Sequence, residues 1–203
     1  MIRVGESAWL LELASNAQVL AARRRVDAEL APLLRELVPG ASTLLVIGDL
    51  ERPLDPRRLD DIERAARQVQ QAARVAAARA HQIPVRYDGA DLDELAARAQ
   101  LSRDELIARH AGAAYRVAFV GFQPGFAYLD GLPAALHAPR RPSPRPRVAA
   151  GSVAIGGEWT GIYPLETPGG WNLIGRTEQA LFAADADPPA LLQPGDAVRF
   201  VPQ

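Results

Sequence analysis

The sequence contains no cysteine and no lysine, and these two absences exclude several kinds of chemistry. Without cysteine the chain has no thiolate nucleophile, no disulfide and no cysteine-based zinc site. Without lysine it cannot carry a biotinyl-lysine, a Schiff-base lysine or the lysine of a Walker A phosphate-binding loop. All 23 basic residues are therefore arginine. Only three histidines are present, and they are scattered, so we expect no dedicated metal site.

The chain also has little net charge, with 23 basic and 24 acidic residues among 203. A chain so balanced produces no overall field that would favour nucleic acid or a membrane surface. The opening segment lacks the long apolar stretch of a signal peptide, and no apolar run is long enough to cross a bilayer. We therefore expect a cytoplasmic protein with no nucleic-acid partner and no membrane partner.

Residues 1–82 show alternating strand and helix signals, which predict a small N-terminal α/β domain. Strands are predicted at residues 9–13 and 43–47. The first helix begins with a capping pattern at Ser15, and its apolar spacing is expected to continue as far as Leu37.

The second helix of this domain begins at Asp55, where a capping carboxylate precedes a proline at the first helical position. Its apolar face is predicted to include Val69, Ala73 and Ala76.

From residue 83 the pattern changes. A strand at 83–87 and two short helices come first, and from Tyr115 onward short strands alternate with glycine and proline turns up to a strand at 198–201. This arrangement is typical of a barrel or a sandwich. The sequence therefore predicts an α+β protein whose second domain covers residues 83–203.

Residues 119–177 hold three dense clusters of glycine, proline and aromatic side chains. Glycine permits backbone with positive φ, and proline fixes φ and removes a hydrogen-bond donor. Such clusters are typical of loops shaped for binding, but a plain β-barrel could use the same residues as turns. The order of the motifs decides between these alternatives.

The ordered motifs resemble the family of the 5-oxoprolinase B subunit, also described as allophanate hydrolase subunit 1, sporulation kinase A inhibitor-like proteins, or carboxyltransferase subdomains C and D. The resemblance covers nearly the whole chain, and several joined motifs are more specific than any single one. The matching motifs are Gly121-Phe122, Pro124-Gly125-Phe126, Tyr128-Leu129, Pro139-Arg140, Pro144-Arg145, Gly151-Ser152-Val153, Thr160 to Pro164, Pro168 to Trp171 and Ile174 to Thr177, with Asp91-Leu92 and His110 upstream. Ala149 departs from the family, which usually has proline there.

This resemblance implies a cyclophilin-like β-barrel for the second domain. It also implies a subunit of an ATP-dependent hydrolase complex that opens 5-oxo-L-proline to L-glutamate and is inactive alone. The implied partners are an allophanate hydrolase subunit 2-like protein (the 5-oxoprolinase C subunit) and a LamB/YcsF-type protein (the A subunit). ATP would be bound by the complex, and not necessarily by this chain.

Two other functions stay open. The chain could be a non-catalytic module that inhibits a histidine kinase, as some members of the family are described. It could also be an accessory subunit of an allophanate hydrolase or urea carboxylase-type enzyme, with the biotin on another chain.

The proline and arginine run at residues 139–147 is a candidate anion site. Stiff backbone would hold Arg140 and Arg145 as fixed guanidinium forks, suited to a carboxylate or a phosphate. The alternative is a solvated loop. On the resemblance, Arg145 is expected to be catalytic, whereas Arg140 and Arg176 are expected to bind substrate.

The remaining candidates lie around this run. His110 ends a capped helix, where the helix dipole favours a protonated imidazole, and a lone histidine there could simply be a good C-terminal helix residue. On the resemblance, it is expected to be a second catalytic residue. Tyr163 could face a pocket or simply pack. The turn with Gly169 and Gly170 could converge its N–H groups on an anion, or it could place a tryptophan in the core. The substrate-binding residues expected from the resemblance are completed by Phe122 and Phe126.

Overall fold

The computed structural model describes residues 1–69 and 79–203. Residue contacts divide the chain into two compact units, Met1–Ala76 and Ala77–Gln203. The α+β class is confirmed, because helices and antiparallel sheets occur together. That each unit folds on its own stays a prediction.

The N-terminal unit has one four-stranded antiparallel sheet, in the order β1-β2-β4-β3. Its strands are β1 (Ile2–Val4), β2 (Ala8–Glu12), β3 (Leu34–Pro39) and β4 (Thr43–Gly48). Two helices accompany the sheet, α1 (Asn16–Leu30) and α2 (Pro56–Arg67). Side chains of Ser15 and Asp55 cap these helices as predicted. One apolar cluster joins the helices to one face of the sheet.

The first helix is shorter than predicted, because it ends at Leu30 and passes through a 3-10 turn into β3. Pro32 explains the end, since proline lacks an N–H and its ring clashes with the carbonyl four residues earlier. Leu37, predicted on the helix, therefore lies in a strand opposite Val46. In the second helix, Val69 lies beyond the last turn, and the predicted positions Ala73 and Ala76 lie outside the described residues.

The C-terminal unit contains a nearly closed seven-stranded sheet, in the order β12-β9-β10-β7-β6-β13-β5. Its members are β5 (Ala80–Val85), β6 (Tyr115–Val120), β7 (Ala127–Asp130), β9 (Ser152–Gly156), β10 (Trp159–Ile162), β12 (Asn172–Arg176) and β13 (Ala197–Pro202). The two edges meet at Arg86 and Arg176, whose backbone groups exchange two hydrogen bonds of 2.9 Å. The barrel predicted from the resemblance is thus present.

Strand β5 begins at Ala80, earlier than the predicted start at residue 83, because it pairs with the last strand. β5 and β13 run parallel, from Ala80 opposite Ala197 to Val85 opposite Pro202. A domain boundary after residue 82 would therefore fall inside a strand of the second unit.

Two helices and a small ribbon complete this unit. Helix α3 (Leu92–Arg98) precedes α4 (Arg103–Gly112), which begins with the predicted capping box of Ser102 and Glu105. The ribbon pairs β8 (Arg145–Val148) with β11 (Thr167–Gly169). It brings the proline and arginine run beside the glycine turn. Among the described residues, no helix is both long and apolar enough to cross a membrane.

Candidate functional site: an aromatic pocket with an arginine wall

A pocket of about 360 Å³ opens on the C-terminal unit, and aromatic and arginine side chains form most of its lining. Its volume falls at the lower end of the range of about 300 to 1,000 Å³ that is usual for small-molecule sites. The lining residues are Phe122, Phe126, Tyr128, Arg140, Arg141, Pro144, Tyr163, Pro168, Gly169, Gly170 and Trp171. The structure therefore brings together six of the nine candidates taken from the sequence.

The floor of the pocket is a cluster of buried rings. Phe126 packs edge-on against Tyr163 and Trp171, with ring centroids 5.2 and 5.3 Å apart. Edge-to-face packing at such distances is the favoured geometry for aromatic pairs. Burial is the main cause that raises the pKa of the Tyr163 phenol. Tyr163 thus both lines the pocket and packs in the core, so the two alternatives left open for it are not exclusive. Trp171 lies in the core, as one of the two interpretations of the glycine turn expected, and it also lines the pocket.

Two glycines make room for these rings. A Cβ on Gly169 would collide with the Tyr163 hydroxyl, and a Cβ on Gly156 would meet the Trp171 ring at 2.5 Å. Both approaches are well inside van der Waals contact, so a larger residue would displace the floor. Gly169 therefore shapes the pocket through the absence of a side chain.

Phe122 forms the apolar rim and stands out in two ways. Its side chain is 61% exposed, and its backbone has φ of +70°, which is rare for a residue other than glycine. That conformation costs about 1–2 kcal/mol in an ordinary residue. Its ring lies edge-on to Phe126 at 5.5 Å. Backbone strain that presents an exposed aromatic side chain over a pocket is typical of ligand-contact loops.

Arg140 supplies the cationic wall. Its guanidinium lies 5.9 Å from the centre of the Trp171 ring, within cation–π range. No ion pair to Arg140 is found in residues 1–69 and 79–203. An exposed guanidinium over an aromatic floor is well placed to hold the carboxylate of an organic anion.

Arg141 and Arg145 are occupied by Asp91. Their Nη1 and Nη2 atoms, respectively, each donate to Asp91 Oδ1 at 2.7 Å, and Oδ2 of the same carboxylate accepts from the Leu173 N–H at 2.7 Å. The Asp91 side chain is only 3% exposed. The carboxylate therefore ties the arginine run to the start of β12, and it holds in place the loop that carries Arg140.

Arg145 is held by Asp91, and its expected catalytic role stays a prediction. Its side chain points to Asp91, and its residue pairs with Gly169 in the ribbon. Arg145 is absent from the residues that line the pocket. Sequence reasoning could not foresee this, because the carboxylate lies 54 residues away along the chain.

His110 is completely buried, and the pocket does not include it. Its Nδ1 lies 2.8 Å from the Tyr87 hydroxyl, and its Nε2 lies 2.9 Å from Thr160 Oγ1. Thr160 donates its own proton to the Ala154 carbonyl, so it accepts from His110 Nε2–H, and Nδ1 accepts from Tyr87. Burial lowers the pKa of this imidazole to about 3. The residue is therefore a neutral core histidine, not the cation expected at a helix end.

Arg176 also lies elsewhere, at the seam of the barrel. Its guanidinium pairs with Asp88 at 3.0 Å, and the residue lines a separate polar cleft with Arg86 and Thr177. The substrate-binding position expected for Arg176 is therefore not in the aromatic pocket.

Sequence reasoning missed Arg141, Pro144 and Tyr128 as pocket residues. Arg141 and Pro144 belong to the same arginine run as Arg140, and Tyr128 belongs to the aromatic motif. The motifs therefore indicated the region of the pocket, but they did not identify these three residues as part of its lining.

The described residues contain no group of three or more histidine, cysteine or acidic side chains able to hold a metal ion. The arrangement of the pocket instead suits an organic anion with a flat apolar part. The rings would pack against that part, while Arg140 would bind the charge.

This two-unit arrangement of sheets belongs to a module of the carboxyltransferase type, as the family comparison shows. The family model "Carboxyltransferase domain, subdomain C and D" matches residues 1–192, and the chain belongs to this family. Two curated relatives carry the name of the 5-oxoprolinase B subunit. The protein of Escherichia coli O157:H7 is 46% identical over 98% of this chain and 94% of its own. The protein of Bacillus subtilis strain 168 is 39% identical over 99% and 88%.

Solved structures share the fold. TTHA0988 aligns with a TM-score of 0.79 and 39% identity over 97% of this chain. The match covers only 40% of TTHA0988, so that protein joins the same fold to further polypeptide. The urea amidolyase of Kluyveromyces lactis aligns with a TM-score of 0.71 over 99% of this chain and 14% of its own. At 18% identity, this second likeness shows the fold alone.

Proposed function

We propose that this chain is the B subunit of a 5-oxoprolinase, a hydrolase complex that opens 5-oxo-L-proline to L-glutamate with ATP. The observation that carries the proposal is near full-length similarity to two proteins of that name, at 46% and 39% identity. Matches of this kind span both units of the chain, so they are not a likeness of one fold element. We place the complex in the cytoplasm.

We assign the aromatic pocket to the substrate. 5-Oxo-L-proline has a small flat lactam ring and one carboxylate, and the pocket offers an aromatic floor and a guanidinium without an ion pair in the described part of the chain. In this assignment Phe126, Tyr163 and Trp171 pack on the lactam, and Arg140 binds the carboxylate. Phe122 covers the ring from the rim, while the glycine turn at 169–170 leaves space for it.

Opening the lactam also requires activation of its amide carbonyl, which the residues lining this pocket do not provide. An amide carbonyl is a poor electrophile, and phosphorylating its oxygen would activate the carbonyl carbon toward attack by water. The C–N bond of the lactam would then break with a proton passing to nitrogen, and a second water would hydrolyse the resulting acyl phosphate to glutamate and phosphate. ATP would supply the phosphoryl group. This chain has no lysine and no glycine-rich phosphate-binding fingerprint, so we assign ATP to the complex, and not necessarily to this chain. Binding and orienting the lactam is the part of the reaction that the described residues support.

The proposed partners follow from assigning lactam binding to this chain and ATP chemistry to the complex. A subunit that positions the lactam needs others to bring ATP and to complete the site. We propose two of them, an allophanate hydrolase subunit 2-like protein in the role of the C subunit and a LamB/YcsF-type protein in the role of the A subunit. We further propose that Arg145 acts indirectly, through Asp91, by fixing the loop that carries Arg140.

A second candidate is an accessory subunit of a urea carboxylase-type enzyme. The observation that favours it is the carboxyltransferase family model over residues 1–192. Because the chain has no lysine, the biotin of such an enzyme would arrive on another chain. The substrate separates the two candidates, since urea has no carboxylate for Arg140 to bind.

The test is reconstitution with purified proteins. We expect glutamate to form from 5-oxoproline only when this chain, the LamB/YcsF-type protein, the allophanate hydrolase subunit 2-like protein and ATP are all present. The chain alone should neither hydrolyse ATP nor consume 5-oxoproline. Turnover by the chain alone would contradict the proposed division of labour. Activity of the complex on urea in place of 5-oxoproline would favour the second candidate.

A further inference from the structure

Three of the four tyrosines are buried, and the hydroxyl of Tyr163 differs from the other two. The Tyr87 hydroxyl donates to His110 Nδ1, and the Tyr115 hydroxyl donates to the His110 carbonyl, each at 2.8 Å. Tyr163 is 1% exposed and lines the pocket, yet across residues 1–69 and 79–203 its hydroxyl has no protein acceptor. Buried phenols usually have a hydrogen-bond partner. The missing acceptor for Tyr163 therefore points to a ligand in the pocket.

The fold holds this hydroxyl in one place. Phe126 packs edge-on against the phenol ring at 5.2 Å, and Phe122 packs edge-on against it from the rim at 6.4 Å. A Cβ on Gly169 would collide with the hydroxyl oxygen, whereas a Cβ on Gly170 would find its nearest neighbour at an ordinary 3.7 Å. The chain thus has no side chain at the one position in the turn where the hydroxyl needs the space. A polar group fixed in an aromatic pocket in this way can orient a small ligand.

The phenol keeps its proton at neutral pH. Burial is the main cause that raises its pKa above the ordinary value. The Trp171 backbone N–H, which donates to the phenol oxygen, and the nearby charge of Arg140 lower the pKa only in part. Because the oxygen already accepts from the Trp171 N–H, the group left for a ligand is the O–H donor.

We propose that the Tyr163 hydroxyl donates a hydrogen bond to the ring carbonyl of the ligand, and that this bond selects lactams over rings without a carbonyl. The inference rests on the proposed function for the identity of the ligand as 5-oxo-L-proline. The carbonyl oxygen of that lactam accepts hydrogen bonds and cannot donate them, so it matches an O–H that needs an acceptor.

Burial decides which oxygen of the ligand reaches Tyr163. Burying a carboxylate costs far more than burying a carbonyl, so the charged end should stay at the exposed guanidinium of Arg140. The neutral ring end then goes to the floor, where the Tyr163 hydroxyl lies. In 5-oxo-L-proline the carboxylate and the carbonyl are carried by the two ring carbons on either side of the nitrogen. One molecule can therefore reach both groups at once.

This hydrogen bond would orient the lactam without blocking its activation. A carbonyl oxygen has two lone pairs, and the Tyr163 hydroxyl uses one of them. The second stays available for the phosphoryl group of ATP. Tyr163 is thus a residue for orientation and specificity, and no bond to it forms or breaks in the reaction.

The test uses the reconstituted complex and three ring compounds that differ in their polar groups. 5-Oxo-L-proline has a ring carbonyl and a carboxylate, 2-pyrrolidinone has only the carbonyl, and cyclopentanecarboxylate has only the carboxylate. In Tyr163→Phe we expect the KM for 5-oxo-L-proline and the inhibition constant of 2-pyrrolidinone to rise about tenfold, because a buried carbonyl loses its donor. The inhibition constant of cyclopentanecarboxylate should not change.

Two further variants make the comparison specific. Tyr115→Phe removes a buried hydroxyl outside the pocket, so all three constants should stay at their wild-type values. Arg140→Ala should give the reverse pattern, with weaker inhibition by cyclopentanecarboxylate and unchanged inhibition by 2-pyrrolidinone. Equal weakening of all three compounds in Tyr163→Phe would mean that the phenol only supports the pocket, and it would overturn the proposal.

The remaining outcomes separate this proposal from the proposed function. An active complex whose three constants are unchanged in Tyr163→Phe would overturn the proposal and leave the function intact. The same holds if Tyr128→Phe, and not Tyr163→Phe, weakens the two carbonyl compounds. A complex that does not turn over 5-oxo-L-proline would count against the function, and the three compounds would then be titrated into the chain by NMR. The predicted pattern in that titration would support the role of Tyr163, whereas no binding of any compound would overturn it.

Discussion

Two arginines from the same proline and arginine run, Arg140 and Arg145, have different surroundings in the fold. Arg140 is exposed over the Trp171 ring and has no ion pair among the described residues, whereas Arg145 is bound to the buried carboxylate of Asp91. Proline precedes both in the sequence, and both match the same family motifs. The difference lies in the partner that the fold provides. Arginine therefore has two roles in this run, since Arg140 lies at the pocket where it can bind a ligand and Arg145 supports the loop through Asp91.

Loss of the Asp91 carboxylate, which holds Arg141 and Arg145, should have the largest effect on stability. Asp91→Ala would leave two partly buried guanidiniums and the Leu173 N–H without their acceptor. We expect a loss of about 3 kcal/mol in the free energy of unfolding, measured by urea denaturation. Asp93→Ala is the control, because the Asp93 side chain is 76% exposed and pairs only at the surface. Equal losses in the two variants would mean that the Asp91 carboxylate adds no stability.

The buried histidine gives the next effect, and it depends on pH. The pKa of His110 is about 3 in the folded protein and about 6.5 when unfolded. Its contribution is therefore fully present above about pH 6.5 and is lost as pH falls. Between pH 7.5 and pH 5 this amounts to about 2 kcal/mol.

The measurement compares unfolding free energies of wild type and His110→Gln at both pH values. Contributions from all other groups are common to both proteins and cancel in the comparison. A wild-type protein that loses no more stability than the variant would mean that His110 is protonated in the fold.

Arg145→Ala separates support from catalysis. A catalytic Arg145 would give lost activity at normal stability, but the ion pair with Asp91 changes that expectation. Asp91 would keep Arg141, so we expect a loss of about 1–2 kcal/mol in the free energy of unfolding. The activity of the complex should fall less in Arg145→Ala than in Arg140→Ala, which is described next. Full stability with no activity would restore the catalytic assignment.

Arg140→Ala should have the smallest effect on stability and a large one on function. The side chain is exposed and unpaired in the described structure, so stability should stay within about 0.5 kcal/mol of wild type. Losing the only guanidinium proposed for the substrate carboxylate should lower kcat/KM more than tenfold. Arg147→Ala, in the same run but paired with exposed Glu166, is the matched control. Normal kcat/KM in Arg140→Ala would remove the pocket from substrate binding.

Local signals were enough for the helix starts and for the character of the second unit. Ser15, Asp55 and Ser102 cap their helices because a capping hydroxyl or carboxylate acts within three residues. The glycine and proline spacing after Tyr115 indicated short strands for the same reason. The end of the first helix was missed because apolar spacing was weighted above Pro32.

The location of the candidate site was predictable from the sequence, but the roles of its individual residues were not. Motif order brought out Phe122, Phe126, Arg140 and Tyr163, which share the pocket. The roles of His110 and Arg145 depend on burial and on carboxylates or hydroxyls 23 to 54 residues away. Such pairings come from topology, which local patterns do not encode.

The pairing of β5 with β13 has a consequence for how the chain is made. The first strand of the second unit finds its main neighbour only in residues 197–202, about as far apart as that unit allows. Until the ribosome has released that last strand, β5 has no sheet to join. Contacts of such long sequence separation slow folding. We therefore expect the barrel to close only after β13 has left the ribosome, so that β5 waits unpaired while the residues between the two strands are made.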